Sequence, residues 1–97
     1  MSIASKMSLS LPSSSHLERQ SMGRLFGHCI GETRENAGLS IEEAARLSGM
    51  KVSEWMAIEE GSVPQDINRL RAMAETMRIS FDKIANMVLL CGAAWEL

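Results

Sequence analysis

The chain has 97 residues, 45% of them apolar and 23% charged, with a formal net charge of −2. That length predicts one domain with a single modest core, and the composition is that of an ordinary globular chain. The acidic balance counts against a broad basic surface of the kind that carries strong non-specific nucleic-acid binding, leaving room only for a local patch.

In chain order, residues 1–16 hold seven serines and one proline, which predicts a flexible N-terminal tail. The alternation around Ile3 and Met7–Leu11 leaves open a short strand added to a partner. This stretch lacks the continuous apolar segment of a signal peptide, and no apolar run reaches the roughly 18–20 residues that span a bilayer; the expected location is the cytoplasm, without membrane attachment. A first helix is predicted from about Leu17–Met22 to Asn36, with Leu25, Phe26, Cys29, Ile30 and Thr33 inward by their three-and-four spacing. Gly27 and Gly31, one turn apart, weaken that helix by roughly 1 kcal/mol each, and close packing is the reason expected for them.

The stretch GLSIEEAARLSGMKVSEWMAIEEG, Gly38–Gly61, carries the strongest pattern. Ser40 followed three residues later by Glu43 has the spacing of a capping box. Ile41, Ala44, Ala45 and Leu47 give the second helix, about 41–48, an apolar face, and Gly49 breaks it. The third helix, about 52–60, carries Val52, Trp55, Met56 and Ile58, and Gly61 stops it. Pro64 suits a first helical turn, so the fourth helix is placed from Pro64 to Arg78 with Ile67, Leu70, Met73, Ala74 and Met77 inward. Ser80 caps a fifth helix carrying Phe81, Ile84, Ala85, Val88 and Leu89. The tail Cys91–Leu97 is rich in apolar residues. Residues 17–97 thus form an all-α domain of five helices ending in an apolar helix and tail, with eight methionines suited to filling gaps in its core.

Two short helices joined by a tight glycine turn form the unit that places a helix in the DNA major groove. The five-helix punctuation resembles the lambda-repressor-like, XRE-type helix-turn-helix family over about residues 22–90. Phe26, Ile30, Gly38, Leu39, Ser40, Glu42, Ala45, Gly49, Ile58, Glu59 and Gly61 fall where the family places such residues. Leu70, Met73, Ala74, Ile79, Ser80, Asp82 and Ile84 do likewise. The resemblance implies a buried ion pair between Arg34 of helix 1 and Glu59 near the end of helix 3. It also implies base or backbone contacts to double-stranded DNA from Ser40, Ile41, Lys51, Val52, Ser53, Glu54 and Ala57.

Those contact residues depart from an efficient reading set. Arg or Lys reads guanine and Asn or Gln reads adenine, and none of the four stands at Val52, Ser53, Glu54 or Ala57. Val52 and Ala57 suit a thymine methyl, Ser53 can donate or accept, and Glu54 can accept from cytosine. Glu60 and the loop Ser62–Asp66 bring no basic side chain. Lys51 takes the place of a Ser or Thr cap while lying where a duplex backbone would pass, and Lys6, Arg19 and Arg24 can form an N-terminal arm. Trp55 reads as core rather than as a stacking platform.

Two functions follow as expectations. The first is a sequence-specific DNA-binding transcriptional regulator, repressor-like, with helix 3 in the major groove. The second is a degenerate helix-turn-helix module that meets a protein through the apolar and acidic face of helices 2 and 3. The excess of apolar residues over 85–97 predicts a homodimer. His16 and His28 have no clustered partners, no phosphate-binding glycine loop is present, and the adjacent acids Glu42–Glu43 and Glu59–Glu60 do not share a helix face, so no enzyme activity, metal or cofactor is expected. Cys29 and Cys91 are expected as free thiols.

Overall fold

A computed structural model describes residues 21–90 of the chain. The proposed tail 1–16, residues 17–20 of the expected first helix, Cys91 and the apolar segment 91–97 lie outside the described residues. Five helices and no strand occur among those described. They are α1 (residues 21–36), α2 (Ile41–Ser48), α3 (Val52–Glu59), α4 (Ile67–Met77) and α5 (Phe81–Leu90).

The local signals that set α2 are all present. The Ser40 hydroxyl accepts from the Glu43 amide at 3.0 Å, and the Glu43 carboxylate accepts from the Ser40 amide at 2.9 Å. Gly49 then closes the helix in the left-handed region at φ 75, a conformation that a β-carbon disfavours. Met50 donates back to the Ala45 carbonyl at 2.8 Å, turning the chain directly into α3.

Two starts differ from expectation. The fourth helix does not begin at Pro64: the Asp66 side chain accepts from the Asn68 amide at 2.9 Å, and α4 opens at Ile67. Pro64 instead lies in the preceding loop. The start of α3 lacks a side-chain acceptor, because a lysine ammonium only donates. Its substitute is Glu54, whose Oε1 accepts from the Lys51 amide at 2.9 Å.

The core is built from Phe26, Ile30, Ala44, Ala45, Met50, Trp55, Ile58, Leu70, Met73, Ala74, Met77, Ile84 and Val88. Leu25, Leu47, Ile67 and Leu89, expected inward, are more than half exposed. For Leu25 the reason is glycine. The face of α1 turned to the interior carries Gly23 and Gly27 beside Phe26 and Ile30. A β-carbon at Gly23 would collide with the Gly61 carbonyl oxygen, and one at Gly27 with the carbonyl oxygens of Glu59 and Ile58. Farther along α1, a β-carbon at Gly31 would stand 3.1 Å from the Glu59 carboxylate. The glycines of GRLFGHCIG are therefore contact positions, and they let α1 lie directly on the end of α3.

The turn between α4 and α5 carries a left-handed residue with a side chain. Arg78 sits at φ 60, and its amide and that of Ile79 donate to Glu75 and Ala74 carbonyls at 3.2 and 2.9 Å. Non-glycine residues in this region cost roughly 1–2 kcal/mol. Arg78→Gly should therefore raise stability by about 0.5–1 kcal/mol after the added freedom of the unfolded chain is counted. Gly27→Ala should lower it by about 1–3 kcal/mol through overpacking against backbone. Thermal or urea unfolding monitored by circular dichroism distinguishes both from no effect.

Candidate nucleic-acid interface

The exposed side of α3 can be read from its periodicity. Trp55 and Ile58 are buried, and Glu59 is largely covered. Val52, Ser53, Met56 and Ala57, followed by Glu60 at the helix end, are exposed. These five are spaced i, i+1, i+4, i+5 and i+8, one continuous stripe.

What holds this stripe outward is a polar network around Glu59. Its Oε2 accepts from Arg34 Nε at 2.6 Å and from Trp55 Nε1 at 2.6 Å, while its Oε1 accepts from Arg34 Nη2 at 3.2 Å. Arg34 Nη1 donates to the Leu39 carbonyl at 2.9 Å, in the link between α1 and α2. The side chains of Arg34 and Glu59 keep only 11% and 15% of their exposure, so both charges are largely withdrawn from water and each depends on the other. Hydrogen bonding to Glu59 holds the Arg34 guanidinium above its ordinary pKa. One carboxylate thus joins α1, the α1–α2 link and both turns of α3.

Trp55 joins this network through the one polar atom of its ring. Its ring is fully buried, and a buried indole N–H needs an acceptor. The four-residue spacing from Trp55 to Glu59, one helical turn, is the sequence signal for that bond.

The other residues expected at a DNA surface are distributed as follows. Ser40, Lys51, Val52, Ser53 and Ala57 are exposed along the α2 start, the turn and α3. Ile41 is half-buried and packs against the core, so it contributes less to an outward apolar patch than Val52 and Met56. Glu54 is engaged at both oxygens: Oε1 receives the Lys51 amide, and Oε2 receives Arg69 Nη1 from α4 at 3.0 Å. Arg69 stands 15 residues away in sequence, so no local spacing indicated this tie. Arg24 is exposed beside Gly61, where α1 meets the end of α3.

The carboxyls at the two helix starts are acidified by the bonds that cap them. Glu43 lies below the ordinary carboxylate range chiefly through the Ser40 amide, then the Ser40 hydroxyl. Glu54 lies below it chiefly through the Lys51 amide, then Arg69. Among the described residues no group of three His, Cys, Asp or Glu is placed to hold a metal ion, and no helix is long and apolar enough to cross a membrane.

Comparison with protein families finds a match to the family described as helix-turn-helix domain over residues 25–87, from α1 into α5. Comparison with curated proteins and with solved structures finds no match.

Glu59→Ala should destabilise the domain by about 3–5 kcal/mol, because it leaves the Arg34 charge largely buried without its partner. A double variant, Arg34→Met with Glu59→Met, removes both charges but leaves the Trp55 indole N–H and the Leu39 carbonyl without those partners, so it should recover only part of that loss; urea unfolding measures both. For Glu54 the folded pKa is depressed, so its stabilisation is present above the unfolded carboxylate pKa of about 4.3 and lost as pH falls through the folded value. Glu54→Gln should lower the melting temperature at neutral pH, and its gap to the unaltered protein should close in acid.

Proposed function

Because the chain belongs to the helix-turn-helix domain family, we propose that it is a sequence-specific DNA-binding transcriptional regulator of the XRE, repressor-like type, with α3 in the major groove. The observation that carries this reading is the exposed stripe Val52, Ser53, Met56 and Ala57 on a helix whose opposite side is locked by Trp55, Ile58 and Glu59. A reading helix must project side chains while its own orientation stays fixed. Around it, Lys51 and Ser40 are exposed where the duplex backbone would pass. The amides of Ile41 and Glu42, in the first turn of α2, have no intrahelical acceptor and can face a phosphate.

Few cations support that contact. Arg34 is committed to Glu59 and Arg69 to Glu54, while Lys51 at the start of α3 and Arg24 beside Gly61 are exposed. Binding by one copy is accordingly modest and salt-sensitive. A homodimer would couple two half-sites, and Leu89 and Leu90, 65% and 84% exposed at the end of α5, support pairing through the C-terminal segment 85–97.

A second reading rests on the same stripe. Val52 and Met56 are exposed apolar residues, Glu60 stands at the end of the stripe, and Glu54 is tied into the scaffold. An apolar surface edged by acids suits a protein partner.

Fluorescence anisotropy with a duplex selected by the protein from a random pool, read at several salt concentrations, separates the two. Regulator function predicts binding that weakens with salt, and Lys51→Ala should lower affinity and reduce the magnitude of the logarithmic salt slope by about one. No duplex binding at low salt would contradict this reading and leave the protein-partner one.

A further inference from the structure

The stripe on α3 restricts which chemical feature of a base pair it can recognise. The helix sequence VSEWMAIE contains no Arg, Lys, Asn or Gln, the side chains that make paired hydrogen bonds to guanine or adenine in the major groove. Glu54 carries the carboxylate that could accept from cytosine, but it already accepts from the Lys51 amide at 2.9 Å and from Arg69 at 3.0 Å, two bonds that hold it against the start of α3 and α4 and weaken its claim on a base. Ser53 supplies one hydroxyl that pairs with donors and acceptors alike. The remaining groups available to a base edge are the exposed side chains of Val52, Met56 and Ala57.

Those three offer methyl groups and a thioether. Against the O6 and N7 of guanine or the exocyclic amino groups of adenine and cytosine, they would strip water from polar atoms and return no hydrogen bond, which is unfavourable. Only the C5-methyl of thymine is an apolar feature of the major-groove edge. Contact with it removes apolar surface from water on both sides.

We propose that α3 reads thymine through its C5-methyl group, with Val52, Met56 and Ala57 as the specificity-determining residues. This inference rests on the DNA-binding reading above and specifies the base feature recognised. Discrimination then comes from methyl burial, and hydrogen-bonded purine readout contributes none of it.

The test uses the full chain and a duplex it selects from a random pool. Thymines of that duplex are replaced singly by deoxyuridine, which removes the methyl and leaves every hydrogen-bonding group in place. Anisotropy should show about fourfold weaker binding per contacted methyl lost, the factor expected from burying one such group. In Val52→Ser/Met56→Ser, whose altered positions are exposed, helix content should be retained while the thymine-to-uracil difference disappears. Equal affinity for thymine and uracil duplexes, in a protein that binds both with clear salt dependence, overturns the inference and leaves the DNA-binding reading standing. A difference that survives in the double variant overturns the assignment to α3. Failure to bind any duplex at low salt overturns this inference together with the reading beneath it.

Discussion

Glu59 sets one carboxylate against Arg34 from α1 and Trp55 from α3, and most of the geometry near the exposed stripe depends on that junction. Arg34 extends it to the Leu39 carbonyl, just before the capping serine of α2. An ion pair this far from water adds little net stability by itself, since desolvating both charges offsets much of their attraction. Its value lies in direction. The Trp55 bond and the two Arg34 bonds converge on one carboxylate, which fixes the roll of α3 about its axis, and that roll decides which side chains face outward.

The glycines of α1 make the junction possible. Arg34 can reach Glu59 because Gly23, Gly27 and Gly31 allow the backbone of α1 to approach the end of α3, two of them against main-chain carbonyls. Glycine lowers the intrinsic preference of α1 for helix, and the tertiary contact offsets this. Sequence, local cost and packing are connected here: residues unfavourable to an isolated helix are those that the assembled domain requires.

Much of the fold was legible from the residues. The Ser40–Glu43 spacing and Gly49 bracketed α2 at the bounds observed, Ser80 caps α5 through the Lys83 amide, and the inward positions of α4 from Leu70 onward follow from periodicity. The misses have physical causes. Apolar periodicity gives no weight to glycine, so Leu25 was assigned the interior that Gly23 and Gly27 occupy. Proline preference at a helix start favoured Pro64, but Asp66 supplies a side-chain acceptor and terminates the loop two residues later. At the candidate interface, the exposure of Val52 and Met56 was foreseeable from the helix. The capture of Glu54 by Arg69 was not, because it depends on where the tertiary fold sets the first turn of α4 relative to that of α3.

The domain presents an unusual division of charge for a nucleic-acid binder. Arg34 and Arg69 are committed to internal pairs and the exposed stripe of α3 is largely apolar, so on the proposed reading shape and methyl contact carry more of the recognition than ion pairing does. The most direct test of this account is amide chemical-shift mapping of the labelled full chain during titration with the selected duplex. The account predicts that the largest changes fall on Ser40–Glu42, Lys51–Ser53 and Met56–Ala57, with α5 little affected by the duplex itself. Changes confined to α5, or none at saturating duplex, would contradict the claim that α3 is the surface that meets DNA.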